Sequence, residues 1–444
     1  SETRGEVLFD AASRGRYATD ASIYQVMPAG VFVPTSDADV AIAIAIANEL
    51  GVPVLARGGG TSQCGQTVNR ALVIDCTKHL RRVLDVDSVA HTAWVEPGLV
   101  LSHLNAALKP HGLFFPVDPG SECSIGGMCA TRASGTAAVR YGTIRENVLS
   151  LQVALPDGRL IETGGRVRKS ATGYDLTHLM IGSEGTLGVI TEITLRLHGI
   201  PEAMSAAICQ FDDLASAVES VVAILQAGIP VARIELLDDV QMGACIAYSK
   251  LHGYAASPTL LLEFHGTPAG VAEQAALAEE ITAGFGASGF QWATDAEERN
   301  RLWKARHDGY WAALALRPGW QGLATDAIVP VSRLADLILG AKEDIAASGL
   351  VAPIVGHVGD GNFHTVILVP PGEAGLAQAW ELDKRIVARA LALGGSCSGE
   401  HGVGIGKREF LEAEHGAETL AVMRQIKVAL DPRGIMNPGK LFLN

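Results

Sequence analysis

The chain has 444 residues, 48% of them hydrophobic and 19% charged, with a formal net charge of −13. That length exceeds one ordinary domain and supports a large core, and the low charged share excludes long disordered segments. The acidic balance argues against nucleic acid as a partner, because it repels phosphate backbones, yet it leaves room for a local basic pocket.

Along the chain, Ser1–Gly5 is polar and no signal-like apolar segment follows it. Ser36 with Asp39 forms a capping-box pattern, and Gly51 then Pro53 close a helix. Within it Ile42, Ile44 and Ile46 alternate like a strand, but the caps and the alanines favour helix. Its aliphatic run, Val40–Ala47, is far short of the roughly 20 residues that a membrane span takes. Short strands are predicted at 52–56, 72–75 and 93–96, and a helix at 100–108. Residues 118–149 are glycine-rich with little periodicity, and so long a loop in a compact protein is a functional signal. A hairpin over 153–161 turns at Asp157-Gly158, and 188–197 is a β-branched strand. After Pro201 the pattern becomes strand, long helix, strand: strands at 206–211, 233–237, 260–264 and 354–368, helices at 214–228, 271–283 and 373–393. This alternation predicts an α+β domain with an antiparallel sheet. The tail from Cys397 is glycine-rich, then helical from about Ala417. Seven cysteines without a CxxC pair predict reduced thiols rather than a disulfide framework.

Two clusters carry chemistry. The first, Arg57-Gly-Gly-Gly-Thr-Ser-Gln-Cys-Gly65, follows a strand, and consecutive glycines let backbone N–H groups converge on a pyrophosphate. A nicotinamide fingerprint fails because Gln63 takes its third glycine position. A triphosphate loop fits the glycines of GTSQCGQT but has Gln66 where the phosphate-gripping lysine belongs. An ordinary glycine turn remains open. The second cluster is GHVGDGNFH (Gly356–His364) with GEHG (Gly399–Gly402). Two imidazoles and a carboxylate suit a divalent metal with an open position, leaving His401 as a base. His357 and His364 stand seven apart, on opposite faces of a straight strand, so a turn at Asp360-Gly361 must bring them together.

Arg57–Gly65, with Ser121–Met128, Ser134-Gly135, Arg140-Tyr-Gly142 and Gly182–Ile190, resembles the FAD-binding domain of the vanillyl-alcohol oxidase/PCMH flavoproteins over residues 28–197. The resemblance implies FAD contacts from Arg57, Gly58, Gly59, Gly60, Thr61, Ser62 and Gly65, then Pro119, Gly120, Ser124, Gly126 and Gly127. It adds Ser134, Gly135, Tyr141, Gly142, Gly185, Val189, Ile190 and Asn437. The first loop has no His for a covalent link, so non-covalent FAD is expected. GHVGDGNFH, GEHGVGIGK, Trp303–His307, Thr325-Asp326 and the closing NPGK resemble the FAD-linked D-2-hydroxyacid dehydrogenases, in particular the cytochrome-type D-lactate dehydrogenase group. That implies His357, His364 and Glu400 as ligands to Zn or Mn, His401 as general base, and Arg306 as the anchor of the substrate carboxylate. His265 and His307 are further candidates to line the pocket. Relatives acting on D-2-hydroxyglutarate have an Asn where this chain has Val366, and Lys-Tyr where it has Ala324-Thr325, so a monocarboxylate is expected.

The expected architecture is α+β: a PCMH-type FAD-binding domain over 1–200, a cap domain with an antiparallel sheet over 201–395, and a tail over 396–444 that completes the site and returns to the FAD domain. The expected partners are a small 2-hydroxy acid and an electron acceptor such as cytochrome c, a quinone, an electron-transfer flavoprotein or oxygen. A homodimer is also compatible. Alternatives are a glycolate oxidase FAD subunit, a D-2-hydroxyglutarate dehydrogenase, and a binding protein that keeps the fold without catalysis. The expected location is cytoplasmic or peripheral to an inner membrane, and mitochondrial where a leader has been removed.

Overall fold

The computed structural model describes residues 3–293 and 296–443. Ser1, Glu2 and Asn444, at the ends of the expected domain spans, lie outside the described residues. The chain forms two compact units, both discontinuous: residues 1–134, 142–200 and 400–444 in the first, 135–141 and 201–399 in the second.

The first unit holds two main sheets. A four-stranded sheet has the order Glu6–Leu8, Gly30–Val33, Leu72–Asp75, Val54–Arg57, the last three strands parallel. Parallel strands need a crossover, and the helix Asp37–Leu50 supplies one between Gly30–Val33 and Val54–Arg57, which flank Leu72–Asp75. Ser36 caps that helix by accepting from Asp39 N at 3.1 Å, and Gly51 ends it at φ 68°. The alternation of isoleucines is overridden by helical geometry: Val40, Ala43, Ile44 and Ala47 are the buried face, at spacing i, i+3, i+4, i+7, while Ile46 is exposed. The five-stranded antiparallel sheet runs Val83–Asp87, Thr92–Val95, Val189–Arg196, Val148–Ala154, Leu160–Glu162. The expected hairpin turns at Gly158, φ 84°. The glycine-rich stretch 118–149 contains three short helices, Ile125–Thr131, Ala138–Tyr141 and Ile144–Asn147. None is long enough to print a 3.6-residue period, although Thr143 and Glu146 form a complete capping box for the third. The tail returns to this unit: Val54 N donates to Ile435 O and Asn437 N to Val54 O, both at 2.8 Å.

The second unit is an antiparallel sheet of eight strands. Seven follow the order Ser288–Ala293, Ala203–Gln210, Thr259–Gly266, Arg233–Leu237, Ile354–Gly356, Asn362–Val369, Gln321–Ala324, and Ala327–Ile328 also pairs with Asn362–Val369. Side chains alternate between its faces. Ile234, Leu236, Leu260, Leu262 and Phe264 face a core with Val218, Val221, Ala275, Leu337, Ile338, Leu382 and Ile386, from four helices. Leu237 and Leu261 point the other way, onto Met242, Cys245, Leu302 and Trp303. Each fully buried aliphatic side chain contributes about 1.5–3 kcal/mol. The turn expected at Asp360-Gly361 divides 354–368 into two strands joined by the 3-10 turn Val358–Asp360, with Gly361 at φ 81°. All seven cysteines are buried, and among the described residues none forms a disulfide. Among the described residues no helix is long and apolar enough to cross a membrane.

Candidate active site

In the first unit, loops at the ends of both sheets line an open cleft. Of the residues expected to contact FAD, Arg57 to Ser62, Pro119, Ser124, Gly126, Gly127, Ser134, Gly185, Val189 and Ile190 line it. Glycine is required where loops close on one another. A Cβ on Gly58 would sit 2.1 Å from Ser124 Oγ, and one on Gly126 2.5 Å from Pro97 Cβ. Gly59 N donates to Ser124 Oγ at 3.2 Å, tying the two glycine segments together. A glycine-rich, backbone-lined and mostly apolar trough suits a dinucleotide cofactor.

Arg57 does not act as a freely reaching phosphate ligand. Its guanidinium donates to the carbonyls of Thr19 at 2.8 Å, Thr67 at 3.0 Å and Tyr17 at 3.4 Å, and so buttresses the loop from behind. Gly65, Gly120, Gly135, Tyr141, Gly142 and Asn437 are not among the lining residues. Gly65 makes a turn at φ 76°, and a Cβ there would meet the Tyr24 ring at 2.7 Å. Gly120, also at positive φ, lies exposed, its N–H on Asp118. Gly142 packs on Glu146, and Gly135 and Tyr141 belong to the second unit. Asn437 supports the wall: its Nδ2 donates to Glu184 O at 2.8 Å and Gln66 O at 3.1 Å.

The cleft also takes in Gln66, Cys76, Ser121, Cys123 and Glu184, which were not among the expected contacts, and Glu400 and His401, which were expected as metal ligand and base. Glu184 is buried in the left-handed region, φ 54°. Its carboxylate accepts from Val403 N at 2.7 Å and Gly404 N at 2.8 Å. Burial pushes its pKa up, and these N–H donors, with Gln66, pull it back only in part. Gln66 Nε2 donates to His401 O at 2.7 Å. The residue that replaces the triphosphate-loop lysine therefore positions the segment carrying His401. Glu184 was legible only as part of the Gly182–Ile190 motif, and Gln66 only as the residue in place of a lysine.

In the second unit the turn after Gly356 brings His357 and His364 together, ring centroids 5.3 Å apart and interplanar angle 79°. Glycines allow it: a Cβ on Gly361 would lie 2.1 Å from Val329 O, and one on Gly359 2.5 Å from Ile234 Cγ2. His357 Nδ1 donates to Glu235 Oε1 at 2.7 Å, and His364 Nδ1 donates to Thr325 O at 2.9 Å. Both neutral rings therefore carry their lone pair on Nε2, the arrangement of metal-ligating histidines backed by a carboxylate or carbonyl. The donor set fits a divalent ion. Asp326, fully buried, accepts from Ser398 Oγ at 2.6 Å. Gly399 lies against Asn362, where a Cβ would come within 2.6 Å of the side chain, and Glu400 is the next residue along the chain.

Arg306, at the end of the helix Ala296–His307, gives its Nε (2.8 Å) and Nη2 (2.6 Å) to Glu235 Oε2. Burial pushes the Glu235 carboxyl up, but His357 and Arg306 outweigh it and hold the group below the ordinary carboxylate range. His307 is exposed. His265 is buried between Tyr141 Oη and Glu263 Oε1, each at 2.7 Å. Glu235 was legible only as one residue of a strand.

A glycine-walled dinucleotide cleft beside a segment bearing Glu-His, and an antiparallel-sheet unit bearing paired imidazoles, define a two-unit flavoprotein. Residues 28–164 match the FAD binding domain and residues 200–441 match FAD linked oxidases, C-terminal domain. The chain belongs to the FAD-linked oxidases. It is 47% identical over 442 residues to a probable D-lactate dehydrogenase, mitochondrial, of Danio rerio, covering 98% of this chain and 89% of that one. It is 46% identical to the D-lactate dehydrogenase [cytochrome], mitochondrial, of Arabidopsis thaliana, covering 94% and 74%. In fold it matches 4-ethylphenol oxidase from Gulosibacter chungangensis with a TM-score of 0.82 at 17% identity, over 98% of this chain and 94% of that one.

Proposed function

We propose that the protein oxidises D-lactate, or a similar D-2-hydroxy monocarboxylic acid, to the 2-oxo acid. The observation that carries this reading is the Glu235 carboxylate, which holds an imidazole with its lone pair on Nε2 and an arginine on its two oxygens. A 2-hydroxy acid presents the matching pair of groups, a hydroxyl for a metal-bound site and a carboxylate for a guanidinium fork. The high identity to relatives named D-lactate dehydrogenase supports the substrate.

His357 and His364 would hold the divalent ion, Zn or Mn, and Glu400 would complete the set from the segment that follows Gly399. Arg306 binds and orients the substrate carboxylate through the guanidinium hydrogens that Glu235 does not use. His401, whose backbone is held by Gln66, takes the hydroxyl proton as general base. Bound flavin would supply a hydride acceptor for Cα, and a bound divalent ion would supply a Lewis acid that lowers the hydroxyl pKa. FAD is held without a covalent bond, since the loop Arg57–Gly65 contains no His. Val366, buried beside His364, and Ala324-Thr325 give a second substrate carboxylate no cationic partner, which favours monocarboxylates. The name of the Arabidopsis thaliana relative supports a cytochrome as electron acceptor.

Steady-state reduction of a dye and of cytochrome c with D-lactate, L-lactate, glycolate and D-2-hydroxyglutarate tests the substrate. Preference for D-lactate supports the reading; a kcat/KM for D-2-hydroxyglutarate or glycolate above that for D-lactate contradicts it.

A further inference from the structure

We propose that Glu235 is a positioning residue that couples metal binding to substrate-carboxylate binding through one buried carboxylate. The inference rests on the metal and arginine roles proposed above. Glu235 lies on the strand Arg233–Leu237 with its side chain fully buried. Its oxygens are divided. Oε1 accepts from His357 Nδ1 at 2.7 Å, and Oε2 accepts from Arg306 Nε at 2.8 Å and Nη2 at 2.6 Å. Arg306 is thereby held by one edge of its guanidinium, and the Nη1 end is set in direction for an incoming carboxylate. His357 is held in the tautomer that ligates through Nε2, and an ionised acceptor on Nδ1 raises its basicity.

Both partners of Glu235 are donors. An amide in its place has one acceptor oxygen, and its NH2 would face a donor. Glu235→Gln must therefore release His357, Arg306 or both, whichever way the amide turns. The adjacent strand provides a control in similar surroundings. Glu263, 5% exposed, accepts from His265 Nε2 at 2.7 Å and lies 3.5 Å from Arg233 Nε. It touches neither proposed ligand nor Arg306, so Glu263→Gln alters comparable burial and charge without the coupling.

The test uses the flavin-loaded protein stripped of metal by chelation, titrated with Zn2+ and with Mn2+ by calorimetry, followed by D-lactate kinetics at saturating metal. Thermal melting reports folding. In Glu235→Gln metal affinity is expected to fall by about 10–100-fold. The KM for D-lactate is expected to rise by about ten-fold or more at saturating metal, because losing one charged hydrogen bond is worth at least that factor. Glu263→Gln is expected to keep metal affinity within about two-fold, being outside the ligand-supporting shell. A Glu235→Gln protein with unchanged metal affinity and KM overturns the proposal, as does one that changes only one of the two, or a Glu263→Gln protein that loses metal affinity equally. Should Glu235→Gln not fold, Arg306→Gln reads the same coupling. It removes no ligand, so a several-fold change in metal affinity supports the proposal and an unchanged affinity overturns it. Wild-type protein that takes up neither ion defeats the metal reading itself, which separates that failure from wild type and Glu235→Gln binding alike.

Discussion

At the residue scale, His401 as the proposed base bears on activity, and Lys440 bears on the pH dependence of stability. His401→Ala is expected to keep FAD and lose flavin reduction by about 10²–10⁴-fold, the usual contribution of a positioned base. Retained absorbance with slow bleaching by D-lactate is the check, and an unchanged rate removes His401 from the reaction. Lys440 is buried with its Nζ on Val68 O at 2.7 Å, and burial lowers its pKa from the ordinary 10.5 to about 8, against the pull of Glu184. The unfolded chain therefore holds this proton more tightly than the folded one. Below about pH 8 both states are protonated and the cost is constant. Between about 8 and 10.5 the unfolded state binds more protons, so this group makes stability rise with pH. Urea melts of wild type and Lys440→Met across that window are expected to diverge by about 3 kcal/mol in favour of wild type at the alkaline end. Parallel curves would show that Lys440 is not the source.

At the scale of elements, the sequence was informative where local chemistry decides. Ser36 and Gly51 bounded the helix Asp37–Leu50 against an alternating isoleucine pattern, and Asp157-Gly158 placed a hairpin turn. The GDG turn was legible because only a reversal reconciles two ligands seven residues apart. What escaped was anything set by a distant strand. Glu235 is 122 residues from His357, and Gln66 is 335 from His401, so no local pattern could pair them. The family resemblance implies an FAD contact for Arg57, and what the sequence did not show is that its guanidinium donates to the carbonyls of residues 17, 19 and 67. The glycine elements give a direct prediction. Gly58→Ala and Gly126→Ala put a methyl into Ser124 Oγ and Pro97, and each is expected to yield protein with little flavin. Flavin-to-protein absorbance ratios check this, with full occupancy as the contrary result. In the helix, Ile44→Ala removes a fully buried side chain and is expected to cost about 2–5 kcal/mol in urea unfolding.

At the scale of the whole molecule, each unit is assembled from separated stretches of chain. The fold class followed from the change of pattern at Pro201. That residues 135–141 belong with 201–399 did not, because so short a discontinuity leaves no compositional trace, whereas the return of the tail to the first unit was expected from the family resemblance. The central claim is that this FAD-linked oxidase uses a metal to oxidise D-lactate, and it is tested most directly by anaerobic stopped-flow of the flavin absorbance before and after chelation. Rapid bleaching by D-lactate that chelation abolishes and Zn2+ or Mn2+ restores is the predicted result. Bleaching unaffected by metal removal would contradict the metal's role, and flavin that D-lactate does not bleach at all would contradict the substrate.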